Sequence, residues 1–315
     1  MLLTPEVLTI LILNIIFALF ATVALLLGSK IAFYWDINST ASMQYRLEKQ
    51  SFLASTIIKY IFSIKIPLFL FFIFTLDKIS NVITGAMCAA GVVDATKTGI
   101  YLIMFKVLNL YLFAYWLKLH SYDMDDKTQP YTKVKFRLFW LFYLFLILEI
   151  ILEVMMFNNI EIDKMVSCCG SIYSGSSTSA ISTFFAIDKR VLLALFYGNY
   201  MLIVLFYVFK NRYLFSILNL IFIPVAILSL ILFFGTYIYE MPSHHCPFCF
   251  LQSDYYYVGY FIYAFLFVGT FYGLIVSFSK ERKTSYKISL LFNSLYVILL
   301  SLYVVVYYIK NGVLL

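Results

Sequence analysis

Residues 11–28 read LILNIIFALFATVALLLG, and only Asn14 and Thr22 in that stretch carry polar side chains. With its flanks the run covers residues 7–29. That meets the ~20 mostly apolar residues a helix needs to cross the hydrocarbon core of a bilayer. A barrel strand would be about 10 residues long with alternating polarity. This run does not alternate, and in lipid a backbone without water must satisfy its own hydrogen bonds, which selects the helix. The preceding MLLTPE carries Glu6 and no positive charge. The run is also too long for a cleavable signal, so it reads as a retained membrane anchor.

The same pattern recurs along the chain. Spans are expected at 7–29, 55–76, 99–119, 138–157, 191–209, 214–238, 256–278 and 288–309. Composition agrees: of 315 residues, 63% are hydrophobic, 20% aromatic and 12% charged, with a mean hydropathy of +0.92. A soluble domain is about 45–50% apolar and about 25% charged, so neither a soluble fold nor intrinsic disorder fits. The expected fold class is an all-α, polytopic membrane helix bundle with about eight transmembrane helices, forming a single transmembrane domain over residues 1–315.

Lysine and arginine orient it. With the N-terminus outside, the inner segments collect Lys30, Arg46, Lys49, Lys118, Lys127, Lys133, Lys135, Arg137, Lys210, Arg212, Lys280, Arg282, Lys283 and Lys287. The outer segments collect Lys78, Lys97, Lys164, Lys189, Arg190 and Lys310. Both termini are therefore expected to be extracytoplasmic, in a multi-pass protein of the cytoplasmic (inner) membrane if the source is bacterial. The net charge of +7 describes the inner rim and gives no reason to expect nucleic acid as a partner. Tyr34, Trp35, Trp140 and Tyr255–Tyr257 fall at span ends, the depth that amphipathic rings favour.

All five cysteines fall in loops expected on the outer side, the disulfide-permissive side in most cells. Cys88 lies in TGAMCAAG, Cys168 and Cys169 are adjacent in VSCCGS, and Cys246 and Cys249 form HHCPFC. A C-x-x-C spacing brings two sulfurs close enough for a reversible disulfide, and a following helix N-terminus favours thiolate. His244 and His245 precede the pair and can supply protons or ligate metal. Two thiolates with one or two imidazoles suit Cu(I) or Zn(II), so His244, His245, Cys246 and Cys249 are the candidate metal ligands. Met87 and Met241 nearby suit Cu(I). A disulfide between adjacent cysteines closes a strained ring that is easily reduced. Alternatively Cys168 and Cys169 take different partners or share one soft metal. Cys88 could resolve a mixed disulfide or complete a metal site. Two structural disulfides with one spare thiol fit the same count.

Four ionisable residues fall deep in their spans, where charge is costly: Lys65, Lys106, Glu149 and Glu153; Lys59, near the inner end of its span, can snorkel. Glu149 and Glu153 share a helix face. From the span ends, Lys106 and Glu149 each lie roughly 10–12 Å below the outer surface at 1.5 Å per residue. An ion pair between them is expected, with Lys65 joining it and Asn109 on the same face as Lys106. Lys106, Glu149 and Glu153 are the candidates for a proton path or a quinone pocket. Pro67 and Pro224 can kink their spans. No sequence period marks a repeat array. No Walker A, G-x-S-x-G or H-E-x-x-H pattern occurs.

The segment from Glu240, EMPSHHCPFCFLQSDYYYVGY and onward into a span, locally resembles quinone-linked thiol oxidases of the DsbB and vitamin K epoxide reductase type. The likeness covers about 40 residues. It implies that Cys246 and Cys249 form a quinone-proximal pair and that Cys168 and Cys169, or Cys88, act as the shuttle. This chain has about twice the helices of that four-helix core, and its second-loop cysteines are adjacent.

The leading expectation is thus a membrane protein handling thiol/disulfide redox at its extracytoplasmic face, with Cys246, Cys249, Cys168, Cys169 and Cys88 as working residues. The alternatives are a copper or zinc permease or insertion factor and a non-catalytic membrane subunit with structural disulfides. The cofactors implied are a quinone or copper/zinc. The partners implied are the lipid bilayer, an extracytoplasmic thiol protein or metallochaperone, and subunits of a membrane complex.

Overall fold

The computed structural model describes residues 4–36, 39, 41–86, 88–160, 188–278 and 282–315. Cys168, Cys169 and Met87 lie outside these. The described residues are overwhelmingly helical and contain no strand. Among the described residues, eight helices are long and apolar enough to cross a membrane, one for each expected span. Their exposed residues include Leu19, Leu26, Phe52, Leu144 and Val208, the surface that a lipid-facing helix presents. Tyr34 and Trp140 are exposed as expected of interfacial rings, whereas Trp35 is buried.

The chain forms two compact units. The first comprises Met1–Thr84 and Val92–Lys164. Its long helices are α1 (Pro5–Tyr34), α2 (Ser42–Ser80), α4 (Gly99–Met124) and α5 (Thr132–Asn158), and the short α3 (Ala89–Asp94) straddles its edge. Pro5 and Glu6 in the first turn suit a helix start, where N–H groups are unsatisfied and the dipole is positive. Contacts run α1 to α2, α2 to α4, α4 to α5 and α5 back to α1, closing a four-helix ring. The buried positions of α1 (Val7, Ile10, Asn14, Phe17, Ala21, Ala24, Gly28 and Ile31) follow a three–four spacing. Small residues let helices approach closely where lipid offers no hydrophobic drive. A Cβ on Gly28 would sit 2.8 Å from the Phe136 ring. α2 runs through Pro67 and begins well before its expected span because Gln44, Leu47 and Ser51 are also buried.

The second unit comprises Gly85–Gly91 and Met165–Leu315. Its helices are α6 (Lys189–Phe209), α7 (Arg212–Ser229), α8 (Gly235–Tyr239), α9 (Val258–Ile275) and α10 (Arg282–Asn311). A wide π turn, Leu230–Phe234, joins α7 to α8, so Arg212–Tyr239 acts as one span. α6 starts on Asp188, whose carboxylate accepts from the Arg190 N–H, and α7 starts on Asn211, which caps Leu214. Lys210 in the left-handed region makes the turn between them. Contacts run α6 to α7, α7 to α9, α9 to α10 and α10 back to α6. Both units therefore close four long helices into a ring in the same sequential order, a repetition that the sequence shows at no fixed period.

A polar knot fastens the second ring. Asn293 Nδ2 donates to Asn219 Oδ1 at 2.8 Å, with the Ser289 hydroxyl beside them, and both asparagines are fully buried. They fit because α9 offers Gly269 and Gly273. A Cβ at either would lie 2.2 Å from an asparagine side chain. This is the small-x-x-x-small device of membrane helices.

Candidate functional site

Three cysteines meet in the second unit. Cys88, Cys246 and Cys249 are each at most 5% exposed, and their sulfurs all lie within 4.8 Å of one another. Cys88 Sγ and Cys246 Sγ are 3.4 Å apart, beyond the ~2.05 Å of a disulfide bond.

Each sulfur is held by local chemistry. Gly85 takes φ 86, and a Cβ at Gly91 would strike Ala86 at 2.7 Å, so two glycines shape the loop around Cys88. The Gly91 N–H donates to the Cys88 carbonyl. On the other side, the Tyr239 hydroxyl donates to the Cys246 carbonyl and accepts from the Phe250 N–H. The Tyr263 hydroxyl donates to the Pro247 carbonyl at 2.6 Å. Two tyrosines thus pin the CPFC turn, which continues into a 3₁₀ turn at Cys249–Leu251. Phe250 packs between the rings of Tyr239 and Tyr263. The Phe248 N–H points at Cys246 Sγ from 3.4 Å.

The histidines serve this loop differently. His245 Nδ1 lies 3.1 Å from the Ile231 carbonyl in the π turn. A carbonyl only accepts, so Nδ1 is the donor in this contact. His244 stands edge-on to the Tyr239 ring. Neither imidazole joins the set of mutually close ligand atoms, which is Cys88, Cys246 and Cys249. Of the four residues expected to ligate metal, the structure brings together Cys246 and Cys249 and adds Cys88. Cys168 and Cys169 fall outside the described residues.

In comparisons with protein-family models, curated proteins and solved structures, nothing matches this chain. The likeness to quinone-linked thiol oxidases rests on the segment from Glu240 into the following span alone, and the site is read from its own chemistry.

The membrane-depth charges gather in the first unit. Glu149 accepts from Lys106 at 3.0 Å and from Lys65 at 3.2 Å. Lys106 also reaches Glu153 at 3.1 Å. Asn14 bridges the remaining gap: its Oδ1 accepts from Lys65 and its Nδ2 donates to Glu153, both at 2.8 Å. Asn109 donates to Glu149. Two cations and two carboxylates, all at most 5% exposed, form one neutral network. A cavity of about 10 Å³ beside it is bordered by Lys65, Lys106, Asn109 and Glu149, the size of one water. The expected Lys106–Glu149 pair, Lys65 and Asn109 are all present. Asn14 was missed, although its place as one of two polar residues in an eighteen-residue apolar run was a usable signal.

Proposed function

We propose that this is a multi-pass membrane protein that holds a soft metal ion, Cu(I) or Zn(II), on Cys88, Cys246 and Cys249. The observation that carries the reading is three buried sulfurs mutually within 4.8 Å. Sulfurs 2.3 Å from a tetrahedral ion are about 3.8 Å apart, so shifts of roughly 1 Å or less would bring all three into bonding range. Thiolate ligands select these metals over Mg or Ca. The Phe248 N–H beside Cys246 would help carry the negative charge of a bound sulfur. Three protein ligands leave a fourth position for an exchanging group. That suits transfer to or from an extracytoplasmic metallochaperone, in line with the sequence-based orientation that puts both termini outside. The test is elemental analysis of the purified full-length protein. Wild type should carry about one copper or zinc per chain, and the Cys88→Ser/Cys246→Ser/Cys249→Ser variant none. Equal metal content in the two rejects the reading.

A second reading, thiol/disulfide redox, is favoured by the 3.4 Å contact between Cys88 and Cys246. Two thiols would join as a disulfide, releasing two protons and two electrons to an oxidant of the quinone class. Cys249 would be placed to exchange with that bond. Intact mass after alkylation, with and without prior reduction, counts oxidised cysteines. A two-electron change on adding a quinone, in metal-free protein, would move the weight to this reading.

A further inference from the structure

The first unit contains a second feature that the cysteine chemistry does not use. A cavity of about 680 Å³ opens at the end of the ring where α2, α4 and the α4–α5 turn meet. That volume suits a small organic ligand. Its lining includes the aromatic rings of Trp35 and Tyr60 and the ammonium groups of Lys59 and Lys127. Lys135 and His120 also border it, Lys135 already held by Asp123 at 2.6 Å. Among the described residues, neither Lys59 nor Lys127 has an ion-pair partner, and the only carboxylate in the lining is Glu48. Ser55 is 3% exposed, lines the cavity, and its hydroxyl has no hydrogen-bond partner among the described residues. Two lysines without ion-pair partners, a buried hydroxyl without a hydrogen-bond partner and two aromatic rings therefore line one cavity.

We propose that this cavity binds a phosphate-bearing anion, either the headgroup of an anionic phospholipid or a free phosphorylated solute. Lys59 and Lys127 supply the charge, Ser55 donates a hydrogen bond, and Trp35 and Tyr60 cover the apolar part of the ligand. Lysines suit this as compact, mobile point charges for phosphate. Basic pockets between membrane helices take lipid headgroups for the same reason. Lys59 sits one turn inside the inner end of its expected span, where its ammonium can snorkel to the headgroups, a level that a soluble phosphate also reaches.

Intrinsic fluorescence provides the readout, because Trp35 lines the cavity and Trp116 stacks on His120 at 5.2 Å. The full-length protein in neutral detergent is titrated with dioctanoyl phosphatidic acid, dioctanoyl phosphatidylcholine, glycerol 3-phosphate and inorganic phosphate. Saturable binding of phosphatidic acid is expected, weakened about fivefold by Lys59→Gln or Lys127→Gln and about 25-fold by the pair, with Lys49→Gln unchanged. If glycerol 3-phosphate or inorganic phosphate binds as tightly as the lipid, the natural ligand is a soluble phosphate; if only the lipid binds, it is a headgroup. Equal binding of the zwitterionic lipid, or wild-type affinity in the double variant, overturns the proposal. Should the double variant fail to fold, wild-type binding is measured against rising salt. Affinity must then fall, and a salt-independent constant also overturns it.

Discussion

Replacing Glu149 by Gln tests whether the charges inside the first ring form one neutral network. The native set holds Lys65, Lys106, Glu149 and Glu153, two of each sign. Glu149 faces both lysines, at 3.2 and 3.0 Å. At an effective dielectric of about 20, each attraction is worth about 5 kcal/mol before the cost of removing the groups from water. Gln keeps the shape and one acceptor but leaves two buried ammonium groups facing one carboxylate. Breaking a buried pair from one side costs about 3–5 kcal/mol, and Glu149→Gln should fall in that range. Glu153→Gln should cost less, because only Lys106 pairs with it. The decisive case is Lys106→Gln/Glu149→Gln. It restores neutrality and leaves Lys65 and Glu153 joined through Asn14. The double variant should therefore be more stable than Glu149→Gln alone, by about 1–3 kcal/mol. Equilibrium unfolding in mixed detergent micelles gives the comparison. A Glu149→Gln protein that unfolds with the wild type, or a double variant that sums the two single losses, would refute the reasoning.

Other consequences can be measured directly. Gly273→Val should prevent folding or cost about 3 kcal/mol or more, because even a Cβ there meets Asn219 at 2.2 Å; Asn219→Ala in the same chain should recover part of the loss. Tyr239→Phe removes the hydroxyl shared by the Cys246 carbonyl and the Phe250 N–H. At about 1–2 kcal/mol for such a bond, alkylation of Cys246 and Cys249 should speed up roughly 5–30-fold with little change in overall stability. Asp123→Asn should loosen the α4–α5 turn, since the carboxylate accepts from the Tyr131 N–H, the Thr132 hydroxyl and Lys135. A loss of about 2–4 kcal/mol is expected, read in the same unfolding assay.

What the sequence disclosed and what it withheld divide along physical lines. The eight spans were legible because lipid imposes a one-dimensional rule, length of apolar run, on each helix separately. The Lys106–Glu149 pair was legible because both depths follow from the rise per residue. Cys246 and Cys249 were legible as neighbours in the chain. Cys88 was legible as a residue that could complete a metal site or resolve a mixed disulfide, but not its meeting with Cys246, 158 positions away, which depends on tertiary packing. For the same reason His244 and His245 looked like ligands from their spacing, while in the fold their rings are engaged by Tyr239 and the Ile231 carbonyl. The Asn219–Asn293 knot and the aromatic, cationic cavity also depend on which faces meet. Gly269 and Gly273, four residues apart on one apolar span, were nevertheless a usable signal for a close helix crossing.

The π turn at Leu230–Phe234 acts as an indexing step for everything that follows it. It holds one residue more than an ordinary helical turn, and each α-helical residue advances the side-chain direction by about 100°. Deleting one residue within it would let the helix close as α throughout. Tyr239 would then swing by about that angle away from the Cys246 carbonyl, and the Ile231 carbonyl would leave His245. The exposed loop residues Met241, Pro242 and Ser243 should accept many replacements. The helix before them cannot change its length by even one residue without disassembling the cysteine centre.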